Sequence, residues 1–485
     1  MNIEAGKAPL PDWASLIAVD RSSPARVRVG LLTLGLYEDR YNKTGHMRDA
    51  ARAAQRHYAE VIERLGAEVV VPTLVESPLD ADQAAATLRA ADLDLVVCIE
   101  IAYVQGGVAV RAVTGVTAPL LIWNAQLEDR LPETGDFDFL MTNIGSAGVP
   151  EMTNSFMRID RPFAMMSGPL GDAPTLERLR NHVRAAAAAG RVRRARFGVI
   201  GHEYQYMTDL QIDRLQLHRL GPLAVAIEPD EVAERAAAQP AGRVGDLARS
   251  ISAAARKCTA PPEMMDRVAR LALGLAELAS AYSLDGLASH EQAVLSDPRV
   301  GVIPSLAESV LMAAGFPVSA EGDLSTAAAM LMVRELTGHC AFLESSFLDY
   351  AADLLYLTHD GLGNPALADP DTLEIKPGIY YRGVNGMGPA AEYAYRAGPL
   401  TLASLAWVGD GGWRLIVAQG AAEPCIPRPV AAPQMLWRHE AGDVGSYFDR
   451  YCQAGGIHHF AAAYGHLAES LERTAKHLSI GYRSV

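Results

Sequence analysis

The sequence predicts an α/β protein: two doubly wound parallel-sheet domains followed by a mainly antiparallel, β-barrel-like C-terminal domain. Three observations lead there. From Val27 to His290, short continuous apolar runs alternate with stretches of helical periodicity, the pattern of strands buried on both faces by crossover helices. From Leu354 the texture changes to short β-rich runs punctuated by Gly and Pro. The chain has 485 residues, 49% hydrophobic and 21% charged, which gives room for two to four domains with substantial cores.

In chain order, V-R-V-G-L-L-T-L-G (Val27 to Gly35) reads as a buried strand. A helical segment follows to Leu65 and stops at Gly66, and Glu68 to Pro72 is the next strand. The unit repeats with a helix over Asp80 to Ala91, a strand over Leu93 to Glu100, a helix after Gly107 and a strand over Pro119 to Trp123. Thr142 to Pro150 (T-N-I-G-S-A-G-V-P) reads as a polar, Gly-containing loop. A second α/β unit is expected to begin near Arg161, with a strand over Pro162 to Ser167, an amphipathic helix over Thr175 to Ala189 and a strand over Ala195 to Gly201 leading into H-E-Y-Q-Y-M-T-D. Helices are expected over Asp230 to Ala237 and Val244 to Leu278, the latter broken near Pro261-Pro262. Asp285 to His290 ends a further strand with His290 at its mouth.

A helix from Glu321 to Leu336 opens the last part. Its β runs begin at Leu354, Ile379, Leu400 and Trp413, and a terminal helix over His459 to His477 closes the chain. The expected domains are residues 1–160, 161–320 and 321–485. Both α/β domains are Rossmann-like in winding, but no G-x-G-x-x-G follows a strand, so a dinucleotide fingerprint is not supported. No repeat of 20–50 residues points to a solenoid.

Charge and cysteine usage narrow the function. With 43 basic against 57 acidic residues the net charge is −14, which argues against nucleic acid or an anionic membrane as partner. The five cysteines are scattered without C-x-x-C spacing, as expected of reduced thiols and not of a disulfide framework or zinc site. The N-terminal stretch has no basic region followed by an apolar run, and no apolar run approaches the roughly 20 residues of a membrane span. The expected location is the cytoplasm.

The residues that carry chemistry lie in Ala320 to Gly361. Glu321 sits on a Gly-bearing turn before a helix, Asp349 lies between bulky apolar residues in F-L-D-Y, and His359 ends an apolar strand. Burying an ionised carboxylate costs several kcal/mol unless a cation or donors compensate. A divalent metal would compensate two carboxylates and an imidazole, and A-G-G-I-H-H-F offers further imidazoles at His458 and His459. Taken singly, each residue also has an ordinary role open to it, a helix cap for the acids and a satisfied core position for the histidines.

Taken together they form a pattern. Glu321-Gly322-Asp323 before an alanine-rich helix, P-S-L-A-E-S-V-L-M-A-A-G-F-P ahead of it, F-L-D-Y, His359, A-G-P-L-T-L-A-S-L-A (Ala397 to Ala406), W-R-L-I-V and the late G-G-I-H-H resemble the L-arabinose isomerase and L-fucose isomerase superfamily in order and approximate spacing. The resemblance covers most of the chain, more specifically from about Ser305 onward. It implies an Mn²⁺-dependent aldose–ketose isomerase, with Mg²⁺, Co²⁺ or Fe²⁺ as other metals such a ligand set suits. The implied ligands are Glu321, Asp349, His359 and His459, with Glu321 and Asp349 shuttling protons through an enediolate. It further implies a homo-hexamer in which the first domain of one subunit covers its neighbour's site. The substrate-facing positions it implies are Leu36, Tyr37, Asn124, Gln126, Met207, His290 and His458.

The sugar contacts depart from the arabinose pattern: S-Q-H-L-Y-G is replaced by Thr33 to Glu38 (T-L-G-L-Y-E), and the His of F-H-T-Q by Asn124. The arabinose segment F-M-E-D-Y has Glu where F-L-D-Y has Asp349. Two other readings therefore stay open: a metal-dependent epimerase or lyase on a related sugar or sugar acid, and a non-catalytic sugar-binding paralogue.

Overall fold

The computed structural model describes residues 13–17, 19, 26–35, 46–126, 128–378 and 388–485. The chain divides into two compact units, Ala25–Gly190 and Arg191–Val485 together with Met1–Pro24.

The first unit is built on five parallel strands: β1 (Arg28–Leu34), β2 (Glu68–Val70), β3 (Leu95–Glu100), β4 (Leu120–Asn124) and β5 (Ala164–Ser167), in the order β2-β1-β3-β4-β5. Every residue of β3 is buried, and both faces carry apolar cores, one around Leu31, Val97 and Trp123 and the other around Leu32, Cys98 and Ile122. That two-sided burial is why these strands read as continuous apolar runs. The strand at Ala164–Ser167, expected to open the second domain, pairs in parallel with β4 as the last strand of this sheet. The order reverses at β1, so the crevice beyond the carboxyl ends of β1 and β3 is the topological switch point.

Thr142 to Pro150, expected as a loop, runs into a helix over Gly145–Arg158. Its glycines serve close packing and not a turn. A Cβ on Gly145 would lie 2.5 Å from Asn124 Oδ1, and one on Gly148 would lie 1.8 Å from Glu100 Oε1. The helix thus lies directly on the ends of β3 and β4.

Glu100 is 5% exposed, and its Oε1 accepts from the Val104 N–H at 3.1 Å. Burial pushes its carboxyl up to about 8, against the pull of the Val104 N–H and with a further push from Glu151. The folded protein therefore holds a proton that the unfolded chain releases near its ordinary value, so this contribution is fully present below that value and is lost as the pH rises toward 8. Thermal melting across pH 4.5 to 8 is expected to show stability falling with pH, and Glu100→Gln to flatten the trend by a few kcal/mol; an unchanged slope would contradict this account of Glu100.

The second unit contains two sheets. β6 (Arg196–Ile200), β7 (Leu223–Ile227), β9 (Gly286–Ser289) and β10 (Val318–Ser319) form a parallel sheet in the order β10-β9-β6-β7. β8 (Lys257–Cys258) leaves it to pair with β13 (Glu374–Pro377). The helical stretch expected over Val244 to Leu278 is two helices, Ala241–Ala254 and Pro262–Ala281; the first ends ahead of β8, and Pro261-Pro262 open the second.

The remaining strands are β11 (Ala341–Asp349), β12 (Leu354–Thr358), β14 (Pro389–Ala394), β15 (Gly398–Trp407), β16 (Trp413–Glu423), β17 (Pro433–His439), β18 (His459–Tyr464) and β19 (Gly481–Ser484). Antiparallel pairing runs β16-β15-β18-β11-β12-β17, and β17 pairs back onto β16, which closes a barrel among the described residues. Closure removes the exposed edges that an open sheet would leave. The β run expected at Ile379 lies outside the described residues.

The terminal helix expected over His459 to His477 is in fact strand β18 followed by a helix over Ala468–Leu478. The F-A-A-A-Y run is fully buried between β15 and β11, where small side chains fit a two-sided core position and sheet pairing overrides the helical preference of alanine. No helix of the described residues is long and apolar enough to cross a membrane.

Candidate metal centre

The site is assembled where β9 and β10 end and the barrel strands β11, β12 and β18 meet them. Its first component is a turn in an unusual conformation. Glu321 has φ 58° and Gly322 φ 74°, so a non-glycine residue stands in the left-handed region. Such a residue costs on the order of 1–3 kcal/mol and persists only where its surroundings hold it. Here the Gly322 N–H donates to the Ser289 carbonyl at 3.1 Å, the Tyr204 N–H to the Glu321 carbonyl at 3.0 Å, and the Asp323 N–H to the Ala320 carbonyl at 3.0 Å. A Cβ on Gly322 would lie 2.6 Å from the His202 carbonyl oxygen, so glycine is required twice over.

Asp323 then performs two tasks while fully buried. Its Oδ1 accepts from the Thr326 N–H at 2.9 Å and caps the helix Leu324–Thr337. Its Oδ2 lies 2.9 Å from His459 Nδ1. With Nδ1 held as the donor, the Nε2 lone pair of this fully buried imidazole points at Glu321 Oε2, 3.7 Å away, and makes no hydrogen bond. That spacing is too long for a hydrogen bond and short enough for both atoms to reach one ion between them.

His458 repeats the arrangement at the solvent edge. Its Nδ1 lies 2.6 Å from Asp209 Oδ2, and its Nε2 lies 3.6 Å from Glu321 Oε2. Two carboxylate–imidazole pairs therefore converge on one buried carboxylate, and Glu321, His458 and His459 form a group able to hold a metal ion. Burial works against the charged form of His458, but Asp209 and Glu321 outweigh it and push the imidazole up to about 10. For Asp209, burial raises the carboxyl and the bonds from His458 more than offset it, bringing it to about 2.

Two further groups border the cluster. The His359 ring stands 5.7 Å from that of His459, with Phe342 edge-on to His359 at 4.8 Å. Glu344 on β11 pairs in register with His459 on β18 and with Thr358 on β12, next to His359. Burial raises the Glu344 carboxyl, His459 and His458 lower it, and Glu321 and Asp360 push it up again, which locates it in the field of the same cluster.

The other residues singled out from the sequence fall as follows. Asp349 is at the hairpin end of β11, where its Oδ1 accepts from the Ala352 N–H at 2.9 Å. It is five positions beyond Glu344, roughly 16 Å along a strand, and is not brought to the cluster. The segment contains two acids, Glu344 and Asp349, and it is Glu344 that stands in register with His459.

Met207 is half-buried against Leu210, Ala406 and Ile457. His290 is 5% exposed, its Nδ1 accepts from the Ala293 N–H at 3.1 Å, and its ring lies between those of His202 and Tyr204 at 4.6 and 5.1 Å. Asn124 ends β4 of the first unit, with Nδ2 3.4 Å from Ser167 Oγ, and Gln126 follows it exposed. Leu36 and Tyr37 lie outside the described residues. Asp209, Asp323 and Glu344 stand at the cluster without being among the site residues expected from the sequence, because each is brought there by tertiary pairing.

No protein-family model matches the chain. An L-arabinose isomerase of Erwinia tasmaniensis is 24% identical over 443 residues, covering 85% of this chain and 86% of that protein. One from an Enterobacter species is 23% identical over 453 residues, and one from Mycolicibacterium smegmatis is 24% identical over 393 residues, 72% of each chain. Over most of its length the chain is similar to L-arabinose isomerases, at 23–24% identity. The arabinose isomerase likeness runs through both compact units, and the cluster around Glu321 lies in the second of them.

Gly322→Ala is expected to destabilise the protein by roughly 2–4 kcal/mol, since a left-handed φ and a backbone clash act together. Gly338→Ala is the control: φ is 84° there but nothing lies within 4 Å of a Cβ, so about 1 kcal/mol is expected. Equal losses in denaturant titration would contradict the crowded-turn account.

Proposed function

We propose that the protein is a metal-dependent aldose–ketose sugar isomerase. The observation that carries this reading is the convergence of His458 Nε2 and His459 Nε2 on Glu321 Oε2, each imidazole backed by its own carboxylate. The buried Nε2 of His459 without a hydrogen-bond partner and the hard-oxygen and imidazole donor set fit a divalent ion. In this reading Glu321, Glu344, His359 and His459 hold the ion with His458 at its edge, and Glu344 takes the role that the family resemblance gave to Asp349. Manganese as the metal and a homo-hexameric assembly rest on the superfamily likeness alone.

A bound divalent ion supplies polarisation of the sugar carbonyl and of its neighbouring hydroxyl. The chain supplies the proton handling. One of Glu321 and Glu344 takes the proton from C2 and returns it to C1, while the other carries the proton between the two oxygens. Two carboxylates in one field do not ionise alike, and Glu344, raised by burial and by Glu321, is the one suited to hold a proton at the start. The relatives' name supports a sugar as substrate; the altered residues at Thr33 to Glu38 and Asn124 support a sugar other than L-arabinose.

The test is metal content by elemental analysis, with a screen for ketose formation over pentoses, 6-deoxyhexoses and hexoses with added Mn²⁺. Stoichiometric metal and turnover are expected. Glu344→Gln is expected to lower kcat by at least about 100-fold, and Asp349→Asn to leave it within a few-fold. The opposite ranking would return the second acid to Asp349. Metal without turnover on any aldose would favour the epimerase or lyase chemistry.

A further inference from the structure

The loop after β6 carries an acid that the chemistry above does not use. Asp209 Oδ2 accepts from the backbone N–H of His458 at 3.2 Å and meets His458 Nδ1 at 2.6 Å. Its placement is not that of a casual surface ion pair. Leu210, fully buried, packs with Ala406 and Ile457, and Met207 joins them; the Leu210 N–H also donates to the Met207 carbonyl at 3.2 Å. Asp209 is flanked by this apolar anchor on its own loop, and His458 follows Ile457 of the same anchor. Both partners are thereby fixed at the backbone, and the residual freedom of the imidazole is its ring rotation and tautomer. The bond to Asp209 fixes the ring orientation, leaving Nε2 directed toward Glu321.

We propose that Asp209 is a positioning residue that makes His458 a metal ligand in this protein, in the way that Asp323 positions His459. The inference rests on the metal-dependent reading above. It adds a third imidazole to the site and ties metal affinity to the loop His202 to Asp209. An imidazole that rotates freely must pay ordering entropy on coordination, and loss of the orienting carboxylate at other metal sites lowers affinity about 10–100-fold.

The experiment is Mn²⁺ titration calorimetry on the full chain, wild type against Asp209→Asn, His458→Asn and the double variant, with melting temperatures taken in chelator. The proposal expects each single variant to raise the Mn²⁺ Kd about 10–100-fold, the double variant to add nothing further, Asp209→Glu to restore part of the affinity, and the metal-free melting temperatures to stay together. A wild-type Kd in Asp209→Asn, with the same melting temperature, would overturn this inference and leave the isomerase reading standing. Weakening by Asp209→Asn but not by His458→Asn would overturn it as well, since Asp209 would then act through another group. If the wild-type protein takes up no divalent ion at all, both this inference and the metal-dependent reading fail.

Discussion

The bond between Asp323 and His459 is the contact on which the candidate site depends. It joins the helix that follows β10 to the first residue of β18, so it exists only when the parallel sheet and the barrel are assembled against each other within the second unit. It settles the imidazole tautomer and thereby decides which nitrogen faces Glu321. The left-handed turn at Glu321-Gly322 is the complement of that bond. The turn brings the Glu321 carboxylate into the cluster, and the backbone bonds from Gly322, Tyr204 and Asp323 keep a conformation that would otherwise relax. A buried acid facing two imidazoles without a cation between them is costly to maintain by protein contacts alone. That electrostatic constraint accounts for the separate carboxylate that stands behind each of His458 and His459.

Much of this was legible in the sequence, for identifiable reasons. The parallel strands β1, β3, β4 and β6 announce themselves because burial on both faces leaves no polar alternation. The start of the helix Pro262–Ala281 is legible because proline suits the first helical position on local grounds alone. E-G-D and G-G-I-H-H are compact enough to be matched without knowing the fold, and they contain Glu321, Asp323, His458 and His459.

What was not legible depends on pairing between distant segments. F-L-E-S-S-F-L-D-Y holds two acids, and only the register of β11 against β18, where Glu344 stands opposite His459, separates one from the other. A register irregularity between Ser345 and Phe347 further detaches the two acids from a simple alternation count. The alanine run after His459 favours a helix locally and becomes a strand because the barrel needs small buried residues there. Gly145 and Gly148 look like turn residues and are instead the points where a helix lies on Asn124 and Glu100. Asp209 has no motif at all; its role follows from an apolar anchor that includes Ile457, far along the chain.

The central claim is that one divalent ion sits between Glu321 and the imidazoles of His458 and His459. The measurement that tests it most directly is anomalous diffraction from Mn²⁺-soaked crystals of the full chain. The account predicts a single strong anomalous peak within coordination distance of Glu321, His459 and Glu344, with His458 Nε2 turned toward it and Asp349 well away. A peak ligated by Asp349, or full Mn²⁺ occupancy at a place that excludes Glu321 and His459, would contradict it.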